Sequence, residues 1–223
     1  MALTARLVDL RDQRHLPGKH DQKTHGRGPR LAPGVTGQAA LDAVPHGTQS
    51  ADLTSDERGS LHAYTQPQHF LTINGSLRGE ILHGAAPAGP VSDRHIANLD
   101  HVMQKSRTTE NIEVWRGLQG GADKVFGANR LAGNMKGLEW HEKGFMSTTV
   151  RKTAAQEFTQ SSGAVLMRVT APKGTGAAKL AYHVRDGEGE VVLERGLKLR
   201  VTADHGIDPG WGHCVLDVEV VPE

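Results

Sequence analysis

The chain has 223 residues, about one and a half average domains, and carries 26 Lys and Arg against 25 Asp and Glu, a balance that excludes a bulk polyanion binder. With 37% hydrophobic and 4% aromatic residues the core must be built from Val, Leu and Ala, and 27 glycines imply many turns. No apolar run approaches the ~20 residues that span a bilayer, the opening residues lack the apolar stretch of a secretory signal, and the single cysteine, Cys214, excludes an internal disulfide framework and a cysteine-only metal site. A globular protein of a reducing compartment, without a membrane segment, is expected.

Residues 1–30 hold seven Lys and Arg against three Asp and Glu, with His15, His20 and His25 added; the remainder is slightly acidic, 19 basic to 22 acidic. From Pro17 to about Gln49 the chain is rich in Gly, Pro and single charges without apolar periodicity, a composition that cannot offset its ordering entropy. The expectation is a flexible basic arm over 1–48, with a short helix near Leu7–Gln13, ahead of a folded domain over 49–223. Order begins at Leu53. Thr54 and Glu57 form the T-x-x-E pattern of a capping box, heading a helix toward Tyr64. Phe70, Ile73 and Leu77 recur at i, i+3 and i+7, a second short amphipathic helix. After the loop Gly84–Pro90, Ser92 is expected to cap a third helix with Ile96, Leu99, Val102 and Met103 on one face.

Beyond Glu110 the helical period gives way to alternation. Strands are predicted at Ile112–Arg116, Ala164–Thr170, Ala177–Ala181, Glu190–Leu193, Leu197–Val201 and His213–Val221, with one helix over Lys152–Thr159. Helices first and strands afterwards indicate an α+β domain, not a parallel βαβ array. The chain contains no G-x-G-x-x-G after a strand, no P-loop, no H-E-x-x-H and no G-x-S-x-G, which removes most common nucleotide folds and hydrolases; Gly117–Gly121 follows a strand but opens no helix.

Three polar features interrupt the strands. Arg116 ends the run Val-Trp-Arg-Gly; its fork suits phosphate in a cleft, or an ion pair at the surface. Ser147, Thr148 and Thr149 follow Phe145; clustered hydroxyls hold a polar ligand or are ordinary strand formers. Glu188 and Glu190 alternate by two as a strand starts, which sets both carboxylates on one face, where they repel unless used.

In this order the three features resemble the mono-ADP-ribosyltransferases of the Arg-Ser-Glu class, the group of clostridial binary-toxin-like and vertebrate arginine-specific enzymes. The matching segments are Trp115-Arg116-Gly117, Phe145-Met146-Ser147-Thr148-Thr149 and Glu188-Gly189-Glu190. Tyr64-Thr65, Ile73-Asn74 and Leu77-Arg78 resemble the family's helical "YT…IN…LR" region, and Val165–Gly174 the strand and turn before its recognition loop; the likeness spans about 53–221. It implies N-terminal helices followed by two packed, mainly antiparallel sheets that form an NAD cleft. It further implies transfer of ADP-ribose from NAD to an arginine of a target protein, with NAD as co-substrate and no metal. On this resemblance Arg116 contacts the NAD phosphates and ribose, with Gly117, Thr148 and Thr149 lining the site. Ser147 binds near the nicotinamide ribose and orients Glu190. Glu190 holds the ribose 2′-hydroxyl and stabilises the oxocarbenium-like centre, and Glu188 aligns the incoming nucleophile. A glutamate at the Glu188 place goes with an arginine acceptor in this family.

The sequence departs from the family pattern in two places. Thr149 stands where a serine is usual, and the aromatic nearest the Glu-x-Glu pair, Tyr182, lies six residues before Glu188. The segment His15–Gly26 offers three histidines without a cysteine; a solvated basic tail outweighs a zinc site. This segment also resembles a short motif of structural and morphogenesis proteins in actinobacterial tailed phages, which implies virion components as partners of the arm and a location in the bacterial cytoplasm or on a virion. A nucleic-acid partner is disfavoured, because no stacking aromatics accompany the basic charges. The rival readings are an NAD glycohydrolase and a virion structural or adaptor protein that retains the fold. His141 and His183 read as surface or core residues, Trp140 and Trp211 as core or cleft walls, and Cys214 as a buried apolar residue.

Overall fold

The computed structural model describes residues 30–79, 87–119, 126, 135–160, 163–180 and 189–222. The first described helix, α1 (Gly37–Asp42), lies in a stretch read from the sequence as a mobile arm. Ala40, Leu41 and Val44 are each 0% exposed. Val35 forms a parallel bridge with Ile112, and Lys179 N donates to the His46 carbonyl at 3.0 Å. The folded domain therefore includes residues 30–48, and the boundary at 48/49 is corrected. The cluster Ala40-Leu41-Val44 is too short to register as a period, yet it supplies the apolar area that holds the segment down. The predicted helix at Leu7–Gln13 and the three arm histidines lie outside the described residues.

The capping box forms as read. In α2 (Ser55–Tyr64), Glu57 N donates to Thr54 Oγ1 at 3.2 Å and Thr54 N donates to the Glu57 carboxylate at 2.7 Å. Glu57 also accepts from Lys105 Nζ at 2.7 Å, tying the head of α2 to the end of α4 (Pro90–Lys105). Between them, α3 (Pro67–Arg78) buries Phe70 and Ile73. Ser92 is not the cap of α4: Pro90, with its preset φ, starts the helix two residues earlier, and Ser92 Oγ accepts from Gly89 N at 2.9 Å from within the first turn.

The strands are β1 (Ile112–Leu118), β2 (Glu139–Glu142), β3 (Met146–Thr149), β4 (Val165–Ala171), β5 (Ala177–Lys179), β6 (Glu190–Leu193), β7 (Leu197–Ile207) and β8 (Cys214–Val220), with α5 (Lys152–Gln156) between β3 and β4. Their hydrogen-bonded order is β2-β7-β8-β4-β1-β3-β6-β5. Every pairing is antiparallel except β4 with β8. The two expected sheets are thus joined into a mixed eight-stranded sheet, and the join between β1 and β3 is thin: Trp115 opposite Thr149 is its one register position. Successive residues alternate between two cores. Met146, Val191 and Leu193 enter the larger cluster, with Val114, Val169 and Leu216. Phe145, Val192 and Ala178 enter the other, under α2, α3 and α4 with Leu61, Ile73 and Leu99. Trp140 packs as a wall residue against that larger core. Trp211, expected as a core or cleft wall, is 56% exposed in the turn between β7 and β8, so it is not a core residue among the described residues. Among the described residues, no helix is long and apolar enough to cross a membrane.

Candidate active site

Arg116, Ser147 and Glu190 come from three adjacent strands. β1 pairs β3 at Trp115–Thr149, and β3 pairs β6 with Thr149 opposite Glu190 and Ser147 opposite Val192. Cross-strand partners share a face. Ser147, Thr149 and Glu190 therefore lie on the face that Phe145 and Val192 turn toward the helices. Arg116 reaches this group across the seam, donating from Nη1 to the Ser147 carbonyl at 3.0 Å. Glu190, 8% exposed, is the first residue of β6.

The local chain path explains why these residues meet. Gly189, with φ 56°, turns the backbone into β6 in the left-handed region, and a Cβ there would lie 2.5 Å from Val150 Cγ2. β6 starts at Glu190; Glu188, read from the sequence as sharing its face, lies outside the described residues, as do Tyr182 and His183. Gly117, expected to line the ligand site, is required by packing: a Cβ would lie 2.2 Å from the Ala155 carbonyl oxygen of α5. The neighbouring hydroxyls brace the backbone. Thr148 Oγ1 donates to the Val191 carbonyl at 2.6 Å, and Thr149 Oγ1 accepts from Arg151 N at 3.0 Å.

A polar network from the helices supports the Ser147 strand. Tyr64 OH donates to the Phe145 carbonyl at 3.1 Å and accepts from Asn74 Nδ2 at 3.0 Å, while Asn74 Oδ1 accepts from Phe145 N at 2.9 Å. Ser147 Oγ donates to Tyr64 OH at 3.5 Å, a long contact that orients the serine loosely. Beside it, Arg78 of α3 donates to Glu142 Oε1 from Nη2 at 2.8 Å and from Nε at 3.3 Å. Burial draws the Arg116 guanidinium below its ordinary range, with Glu142 pulling it back up and Arg78 pushing it further down. Burial also favours the neutral form of Glu142, but Arg78 and Arg116 outweigh it and hold the carboxyl below its usual range. Two guanidiniums against one carboxylate leave the group net positive, suited to a phosphate-bearing ligand. In the sequence, Tyr64, Asn74 and Arg78 stand out only as part of a helical region resembling the family's, and Glu142 carries no signal because a lone carboxylate two residues before a glycine matches no pattern.

The remaining singled-out residues lie apart from this group. His141 is exposed on β2. His213 is 1% exposed, with Nδ1 3.0 Å from Thr159 Oγ1. Cys214 is buried, and burial pushes its thiol up to about 12, which makes it inert as a nucleophile.

A helix-capped mixed sheet that gathers an arginine, a serine and a glutamate on three neighbouring strands defines an α+β fold of the ADP-ribosyltransferase kind. The family model for the ADP-ribosyltransferase exoenzyme matches residues 45–220, and the chain belongs to that family. Among solved structures, the C3 exoenzyme of Clostridium limosum is similar at 20% identity and TM-score 0.60, covering 83% of this chain and 91% of its own. C3stau2 from S. aureus, solved with NAD, is similar at 19% identity and TM-score 0.62, covering 87% and 100%. The enzymatic component C2-I of the C2 toxin from Clostridium botulinum gives 17% identity and TM-score 0.59 over 77% of this chain and 45% of that one. No curated protein sequence matches the chain.

Proposed function

We propose that the protein transfers ADP-ribose from NAD to an arginine side chain of a target protein, releasing nicotinamide. The observation that carries this reading is the convergence of Arg116, Ser147 and Glu190 on β1, β3 and β6 beside the net-positive Arg78–Glu142–Arg116 group. In this reading Arg116 and Arg78 take the diphosphate through charge-assisted hydrogen bonds. Ser147, steadied by Tyr64, faces the nicotinamide ribose. Glu190 accepts from the ribose 2′-hydroxyl and stabilises the positive charge that grows at the anomeric carbon as the carbon–nitrogen bond to nicotinamide breaks and its electron pair leaves with nicotinamide. The acceptor guanidinium nitrogen forms the new bond to that carbon and gives up a proton, with Glu188 as the carboxylate that orients it and takes the proton. The buried position of Glu190 favours this role, since a carboxylate in a site of low dielectric stabilises an adjacent cation more strongly than one in water.

The test uses labelled NAD with a protein acceptor mixture and, separately, a small arginine analogue. The wild type is expected to label both and to release nicotinamide. Glu188→Gln is expected to lose arginine labelling while retaining measurable NAD hydrolysis. Labelling that survives on an acceptor stripped of arginine would contradict the arginine assignment, and loss of both activities in Glu188→Gln would remove Glu188 from the acceptor side.

A further inference from the structure

Glu142 is accounted for neither by the fold nor by the transfer step. Its backbone is fixed at the end of β2, where its carbonyl accepts from Gly196 N at 2.8 Å. Its carboxylate Oε1 gathers three donors: Arg78 Nη2, Arg78 Nε and Gly144 N at 3.0 Å. The Arg78 side chain is only 7% exposed and that of Glu142 14%, so neither charge is dispersed by water. Arg116 acts on both electrostatically, attracted by Glu142 and repelled by Arg78.

Resting on the transfer reading above, we infer that Glu142 is a positioning residue for dinucleotide binding: it holds Arg78 beside Arg116 so that both guanidiniums meet the same diphosphate. Two cations brought together in a half-buried cleft repel, and a long arginine side chain released from its partner turns toward solvent. One carboxylate cancels one of the two charges. The pair then remains together while the group keeps the net positive charge that an anionic ligand needs. Ordering Arg78 in the free protein also removes part of the cost of binding, because the rotamer freedom is already lost before the ligand arrives. A carboxylate that served only to staple α3 to β2 would have no such dependence on Arg78's use as a ligand group.

Glu142→Gln, Arg78→Gln and the double variant, titrated with NAD by calorimetry and melted in parallel, separate these roles. Glu142→Gln is expected to weaken NAD affinity by about tenfold in the wild-type background and to leave it unchanged in the Arg78→Gln background, the non-additivity of a residue acting through another. KM for NAD rises while kcat is nearly held. Without NAD, labelling of Arg78 by phenylglyoxal, followed by peptide mass, becomes several-fold faster in Glu142→Gln. Glu142→Asp keeps the charge with a shorter reach and gives an intermediate loss, which covers a Glu142→Gln chain that does not fold. Equal weakening in both backgrounds, unchanged or tighter binding, or unchanged Arg78 labelling would overturn the positioning role. A wild type that binds no NAD would instead overturn the transfer reading, and the labelling comparison would still decide whether Glu142 holds the guanidinium.

Discussion

Arg116 is half-buried, and its Nη1 is already committed to the Ser147 carbonyl at 3.0 Å, so the strand that presents it also fixes its direction. Lysine at this place keeps the charge but loses the planar fork, and its ammonium is more strongly hydrated and costs more to hold away from water. Arg116→Lys is expected to lose about 1.5–3 kcal/mol of NAD binding, one to two orders of magnitude in affinity, with the melting temperature held. Calorimetric titration of both proteins checks this, and equal affinities would return Arg116 to an ordinary surface arginine. At this scale the sequence offers residue types that break a local rule: an arginine in an apolar run, hydroxyls after an aromatic, a glutamate opening a strand; β1 continues two residues past Arg116, which the sequence places at the strand's end. It was silent on Glu142, whose role depends on Arg78 lying 64 residues away in the chain.

Among the elements, the entry to β6 is a tight constraint near the site. Gly189 combines a φ of 56° with a Cβ position 2.5 Å from Val150 Cγ2, and Val150 N donates to the Gly189 carbonyl at 3.0 Å. Gly189→Ala should therefore cost about 1–3 kcal/mol from backbone strain and crowding, and displace Glu190 along with the start of the strand. A chemical denaturation midpoint and nicotinamide release should fall together; an unchanged midpoint would show that the turn relaxes freely. Helix and strand positions were legible from the capping box at Thr54 and Glu57 and from the change of period after Glu110. The start of α4 was not, because Ser92 and Pro90 both carry N-terminal signals and the preset φ of proline prevailed.

Across the whole molecule, the segment before α2 is part of the core. Leu41 is fully buried in the larger cluster, beside the strands that carry the site. Leu41→Ala is expected to destabilise the domain by about 2–5 kcal/mol, measured by urea unfolding. A loss near zero would restore the arm boundary at residue 48. The α+β class followed from element order alone, and the motif order pointed to the family whose model spans residues 45–220. The joining of two sheets into one eight-strand order was not legible, because it depends on a single register position, Trp115 opposite Thr149, that no local pattern encodes. In the proposed reaction Glu190, set at the head of β6 opposite Thr149, stabilises the cation formed as nicotinamide leaves. Nicotinamide release by Glu190→Gln measures it most directly. A neutral amide of the same shape cannot offset that charge, so loss of both transfer and NAD hydrolysis is expected, with NAD still bound and the melting temperature held. Near-normal nicotinamide release by the folded variant would contradict it.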